Sequence, residues 1–176
     1  MKKTLELQKR KSLLEGTPDL GIRLDRLNRL LDMMISYQDQ IPVALSKDFG
    51  HRSPMASKFT DIASVFDAIH FAKKHLKKWM KPEQRSAGSP FNFLGAKAYI
   101  QYQPLGTVGV ISPWNFPFNL TFAPLAGILS AGNRTMIKPS EITPESSNLM
   151  KKMVSEFFDP DELALFCGDE IGRAHV

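Results

Sequence analysis

Cysteine is nearly absent from this chain. One residue, Cys167, cannot close an internal disulfide, which suits a reducing compartment and is read as cytoplasmic. The amino terminus, Met1-Lys2-Lys3-Thr4-Leu5-Glu6, has no apolar stretch of the kind a secretory signal carries. No apolar run approaches the roughly 20 residues needed to cross a bilayer. Asn119-Leu120-Thr121 fits a glycosylation sequon, but without a secretion signal it carries no weight. Gly-x-Gly-x-x-Gly is missing, and Gly127 to Gly132 lacks the Lys-Ser/Thr of a phosphate-binding loop. The four histidines, His51, His70, His75 and His175, show no metal-ligand spacing with Cys167 or the acids, so no metal is assigned. There are no internal repeats and no low-complexity segments.

Apolar side chains are plentiful. Twelve Phe within a 43% apolar composition supply a buried core and exclude global disorder. The length of 176 residues predicts one domain, or one with an appendage. The net charge of +5 is concentrated in Lys73, Lys74, Lys77, Lys78, Lys81 and Arg85. Such a run ordinarily forms a solvated helix face. A nucleic-acid or anionic-membrane surface would need that basic face to continue elsewhere, and it does not. Neither partner is expected.

The first eighty residues read as helices. Leu20, Leu24, Leu27, Leu31 and Met34 recur at spacings of four and three, one apolar face. Thr17-Pro18 supplies a capping hydroxyl and a first-turn proline ahead of it. Arg23, Arg26 and Arg29 lie off that stripe, with Asp25 set to pair with Arg29 on the surface. Ser53-Pro54 opens a further helix whose buried stripe is Met55, Phe59, Ile62, Phe66 and Ile69. Pro82 to Pro90 is a breaker-rich loop. Lys97 to Gln103 alternates as a half-exposed strand, with Ala98, Ile100 and Tyr102 on one face. Thr107 to Ile111 reads as a buried parallel strand. A helix follows from Pro117 to Ala131, with Ala123, Gly127 and Ala131 as a close-packing small-residue stripe. Gly132-Asn133 caps it. Thr135 to Lys138 is a strand, Thr143-Pro144-Glu145 opens a helix to about Phe158, and Leu163 to Cys167 is a short strand. The class is α/β: amino-terminal helices, then a β-α-β-α-β unit, half of a doubly wound, Rossmann-like parallel sheet.

Two places carry chemistry. Ser112-Pro113-Trp114-Asn115-Phe116-Pro117-Phe118-Asn119 is a proline-bracketed turn presenting an amide donor, and Lys138-Pro139-Ser140-Glu141 follows the next strand. Both fall at the carboxyl ends of strands, the ligand-binding edge of an open sheet. A fixed amide N–H stabilises the oxyanion that develops at an attacked carbonyl. An Asn in such a turn otherwise satisfies backbone groups, and a lysine after a strand is otherwise a surface residue.

The stretch Trp114-Asn115-Phe116-Pro117-Phe118-Asn119-Leu120-Thr121, with Lys138-Pro139-Ser140-Glu141, resembles the aldehyde dehydrogenase superfamily, and most closely its class 3, fatty-aldehyde and coniferyl-aldehyde branch. The likeness runs over most of the chain and is densest from Tyr99 to Glu141. It implies a full enzyme that oxidises an aromatic (coniferyl-like) or long-chain aldehyde to its acid with NAD, NADP being also admissible. Asn115 is then the oxyanion donor in the thiohemiacetal step. Lys138 and Glu141 face the adenosine ribose, and Glu141 disfavours a 2′-phosphate. Ile111, Ser112, Pro113 and Trp114 supply backbone and apolar cofactor contacts, and Ser140 shapes the turn. The missing Gly-x-Gly-x-x-Gly agrees with this family, which binds NAD without it.

The resemblance divides the chain into a helical part at 1–96, a strand of the oligomerisation sheet at 97–106, and the first half of the NAD-binding domain at 107–176. The full-length enzyme is expected to be a homodimer. Cys167 invites assignment as the thiolate nucleophile, but it ends an apolar strand and reads as a small buried residue. The family's nucleophile sits in a Gly-Gln-x-Cys context, its general base in Glu-Leu-Gly-Gly, and a Gly-x-x-x-x-Gly helix start approaches the cofactor phosphates. None occurs here. The chain by itself is therefore expected to be inactive, and its open sheet edges to favour aggregation. A non-catalytic structural or nucleotide-binding module is the alternative reading.

Overall fold

The computed structural model describes residues 1–168. The rest of the 107–176 segment lies outside them. In chain order the elements are α1 (Lys2–Glu15), α2 (Leu20–Tyr37), α3 (Gln40–Asp48), α4 (Pro54–Ser57), a π-helical turn (Lys58–Ala63), α5 (Ser64–Trp79), β1 (Glu83–Arg85), a 3₁₀ turn (Phe91–Leu94), β2 (Ala98–Ile100), β3 (Thr107–Ile111), α6 (Pro117–Ser130), β4 (Arg134–Lys138), α7 (Pro144–Phe157) and β5 (Leu163–Leu165).

β3, β4 and β5 form a parallel sheet in that order, joined through α6 and α7. The two crossover helices pack against each other and against α2, while α1 lies across β3 and β4. Gln8 pins α1 there: its buried Nε2 donates to the carbonyls of Thr135 (3.1 Å) and Pro160 (2.9 Å). The core runs between helices and sheet. Leu27, Leu30 and Met34 of α2, Ile69 and Leu76 of α5, Phe118, Phe122 and Leu129 of α6, and Met150 of α7 are all buried in it. Gly132, at φ +86°, supplies the left-handed residue that ends α6.

Several local expectations are corrected. The cap of α2 is Asp19, whose carboxylate accepts the Ile22 N–H at 2.9 Å; Thr17-Pro18 lies outside the helix. Arg23 and Arg26 are buried rather than solvated. Arg23 donates to the carbonyls of Pro18 (2.9 Å) and Ser130 (2.8 Å), which holds α2 against the end of α6. Arg26 and Arg29 both reach Glu162, at 3.0 and 2.7 Å, and Arg29 also makes the pair with Asp25. These acceptors offset the cost of burying the two guanidinium groups, although Arg26 Nη1 finds no partner among the described residues.

Ser53 does cap α4, but Met55 and Phe59 are exposed, and the buried stripe of the helical stretch is Ile62, Val65, Ile69, Ala72 and Leu76. The π turn widens the helix at Lys58–Ala63 and breaks the 3.6-residue phase on which the expected stripe depended. The loop after α5 contains β1, which pairs antiparallel with β2. The strand read over Lys97 to Gln103 is shortened to Ala98–Ile100. β3 is an edge strand, with Ile111 71% exposed, not a buried one. Gly127 and Ala131 face outward. They line a cavity of about 760 Å³ with Trp79, Met80 and Tyr102 instead of packing on a neighbouring helix. α7 owes its amino-terminal cap to α3: Asp48 accepts the N–H groups of Glu145 and Ser146 at 2.9 and 2.7 Å.

Burial pushes the Glu162 carboxyl up, but hydrogen bonds and charge from Arg29, then Arg26, outweigh it and hold the group below its ordinary value. Its stabilising contribution is complete above the ordinary glutamate range, about pH 4 to 5, and is lost as pH falls through the lowered folded value. Glu162→Gln strands Arg26 and should cost about 3 kcal/mol at pH 7. Urea melts at pH 7 and pH 3 check both points. The difference between wild type and variant should shrink at the lower pH.

Candidate active site at the carboxyl edge of the sheet

β3 and β4 pair in the register Ile111 opposite Lys138, so their carboxyl ends leave the sheet side by side. The turn carrying Asn115 begins directly after one, and the Lys138-Glu141 segment directly after the other. Ser112 ties the two exits together. Its N–H donates to the Lys138 carbonyl at 3.1 Å, and its buried hydroxyl accepts from Thr121 Oγ1 at 2.7 Å. The Ser112 side chain is thus spent on holding the turn. Pro113 and Ile111 are exposed beside it. Trp114 is 48% exposed and packs on Phe49, with ring centroids 6.3 Å apart.

Asn115 lies exposed at the crest of the turn. Its carbonyl accepts from Arg52 Nη1 at 3.4 Å, and its carboxamide has no hydrogen-bond partner among the described residues. Phe116 and Asn119, at the start of α6 just after Asn115, line a cavity of about 290 Å³ with Phe59, Thr60, Ala63, Ser64 and Asp67. Two aromatic rings on its wall suit an apolar substrate body.

On the neighbouring strand, Lys138 Nζ and the Glu141 carboxylate form an ion pair. The hydrogen bond from Lys138, and then its charge, hold the exposed Glu141 carboxyl below the usual carboxylate range. Ser140 turns the chain: its hydroxyl accepts the Ile142 N–H at 3.2 Å, and its carbonyl accepts from Ser147 Oγ at 2.8 Å. Pro139, Ser140, Glu141, Ser147, Asn148 and Cys167 surround a cleft of about 110 Å³. Glu141 lines this cleft and Lys138 pairs with Glu141, and a cationic donor beside an anionic acceptor matches the mixed donor–acceptor character of a ribose diol. The donor set therefore fits a nucleotide cofactor.

Cys167 is half-buried, donates from Sγ to the Ser147 carbonyl at 3.3 Å, and has its thiol pushed up by burial. Such a thiol is a poor nucleophile. The cavity lined by Gly127 and Ala131 lies at the opposite end of α6, about 20 Å from the turn by helix rise.

The sequence reasoning missed Arg52 and Asp61. Asp61 is fully buried beneath the turn and accepts from the main chain of Phe118 and Asn119 and from Arg52. One signal was available: an acidic residue directly beside Ile62 of the expected buried stripe.

The family model described as the aldehyde dehydrogenase family matches residues 18–175. The chain is 48% identical over 176 residues to the probable coniferyl aldehyde dehydrogenase of Caulobacter vibrioides, covering 99% of this chain and 36% of that protein. It is 44% identical over 169 residues to the coniferyl aldehyde dehydrogenase of a Pseudomonas species, covering 96% of this chain and 34% of that protein. Among solved structures, the substrate-bound state of Staphylococcus aureus AldH superposes with a TM-score of 0.89 at 32% identity, over 96% of this chain and 36% of that one. The chain thus spans about a third of the length of the relatives it matches. Since the family match extends over almost all of these residues, the chain belongs to the aldehyde dehydrogenase family.

Proposed function

We propose that this chain supplies the oxyanion donor and the adenosine-side cofactor contacts of an enzyme that oxidises an aldehyde to a carboxylic acid with NAD. The observation that carries the reading is the β3–β4 register, which delivers the Asn115 turn and the Lys138–Glu141 pair to one edge of the sheet. The coniferyl aldehyde dehydrogenases among its relatives support an aromatic aldehyde as substrate, and the aromatic-walled cavity beside Asn115 would take its ring.

In this reading the Asn115 carboxamide donates an N–H to the oxygen of the attacked carbonyl as negative charge builds there. Removing such a donor costs about a hundred- to a thousandfold in rate. Lys138 donates to the ribose hydroxyls and Glu141 accepts from them, and the negative charge of Glu141 favours NAD over its 2′-phosphorylated form. Bound nicotinamide supplies the hydride acceptor. Ile111, Pro113 and Trp114 present apolar surface along the cofactor's path, and the backbone beside Ser112 presents its carbonyl. The division into a helical part (1–96), an oligomerisation strand (97–106) and a cofactor-binding half-domain (107–176) belongs to the same proposal, as does a homodimeric full-length enzyme. Cys167, the single cysteine, takes no part in the chemistry.

Calorimetric titration of the chain with NAD and NADP tests the cofactor half of the reading. Saturable NAD binding is expected, weakened about tenfold or more by Lys138→Ala, since one charge-assisted hydrogen bond is worth that much. Glu141→Gln should narrow the preference for NAD over NADP. Failure to bind either nucleotide would leave the inert-module alternative standing. Cys167→Ser should leave NAD affinity within about twofold, and the thiol should react with a disulfide reagent more slowly than free cysteine. The purified chain mixed with coniferaldehyde and NAD should give only background nucleotide reduction.

A further inference from the structure

The Asn115 turn has no cap of its own. Phe116 stands at the amino-terminal end of α6 and offers its first amides no side-chain acceptor, and Pro117 follows at the first helical position. The acceptor is Asp61, 57 residues before Phe118 in the chain. Its Oδ1 takes the N–H groups of Phe118 (3.2 Å) and Asn119 (3.3 Å), the donors a helix start leaves open. Its Oδ2 takes Arg52 Nη2 at 2.9 Å and Thr60 Oγ1 at 3.0 Å. The other arm of Arg52 reaches the Asn115 carbonyl, and its guanidinium lies 5.1 Å from the Phe49 ring centre and 5.3 Å from that of Phe116. The chain from Asn115 into α6 is therefore tied to one fully buried carboxylate, the Phe118 and Asn119 amides directly and the Asn115 carbonyl through Arg52.

This arrangement does more than stabilise the fold. An oxyanion donor is effective when it is fixed before the charge appears, and the Asn115 carboxamide has no hydrogen-bond partner of its own among the described residues. Its aim is set by the main chain beneath it. Asp61 reaches that main chain because it sits in the π turn, whose neighbouring residues Phe59, Thr60 and Ala63 also wall the cavity beside Asn115. Wide helical turns of this kind recur at functional sites.

We propose that Asp61 and Arg52 are positioning residues that hold the Asn115 turn so that its carboxamide points to where a carbonyl oxygen would develop charge. The chemical meaning rests on the dehydrogenase reading above; the geometry does not.

The ¹⁵N-labelled 176-residue chain tests the two separately. In Asp61→Asn, amide exchange at Phe118 and Asn119 should rise by about tenfold or more, and the Asn115 side-chain NH₂ resonances should shift and sharpen. Resonances of the β4–β5 pair should stay in place, and NAD affinity should hold within about twofold. Arg52→Gln keeps the Asp61 cap and should move the Asn115 resonances with little change in exchange at Phe118. That variant decides the question should Asp61→Asn fail to fold. Asn115 resonances unchanged in a folded variant, or perturbation spread evenly over the core, would overturn the positioning role. Wild-type chain that binds no NAD would count against the dehydrogenase reading and leave the positioning result intact.

Discussion

Parallel pairing of β3 with β4 is the constraint on which the site depends. With Ile111 opposite Lys138, both strands end at the same level, and whatever follows each must share one edge. The Ser112 N–H extends the ladder by one bond past the last paired residues, so the turn leaves the sheet at a fixed height. The two faces of the site then differ in kind. On the β4 side the Lys138–Glu141 ion pair flanks a narrow cleft; on the β3 side an amide sits beside an apolar cavity. One edge offers a polar sub-site and an apolar one without a separate domain to build either.

Much of this was legible in the sequence because it rests on local chemistry. The Pro-bracketed Asn turn and the Lys-Pro-Ser-Glu segment declare themselves in consecutive residues, and the alternation of strand and helix around them gives the sheet. What escaped depends on partners far away in the chain. Arg23 and Arg26 look like surface residues by helical phase, but the carbonyls of Pro18 and Ser130 and the carboxylate of Glu162 allow them to be buried. Met55 and Phe59 look buried only if the helix keeps its α pitch. Asp61 takes its meaning from amides 57 and 58 residues away, a relation no periodicity can signal.

The buried carboxylates illustrate two balances. Glu162 meets two guanidinium groups and is held ionised against its burial. Asp61 meets one, plus two amides and a hydroxyl, and burial still wins, so its carboxyl is pushed above its ordinary value. The first joins the amino-terminal helices to the far end of the sheet, where ion pairing serves cohesion. The second lies under the turn, where it accepts the first free amides of α6 and the Arg52 guanidinium.

From Pro54 to Trp79 the chain is one continuous helical stretch interrupted by the π turn. That interruption acts as a dislocation in the helix: it lets the segment before it and the segment after it keep independent rotational settings. Removing a single residue between Lys58 and Ala63 would restore regular pitch and rotate one half by about 100° relative to the other. Asp61 and the Val65–Leu76 stripe could not then both face inward. The length of this short segment, more than the identity of most residues in it, is what lineages carrying the same turn would be unable to vary.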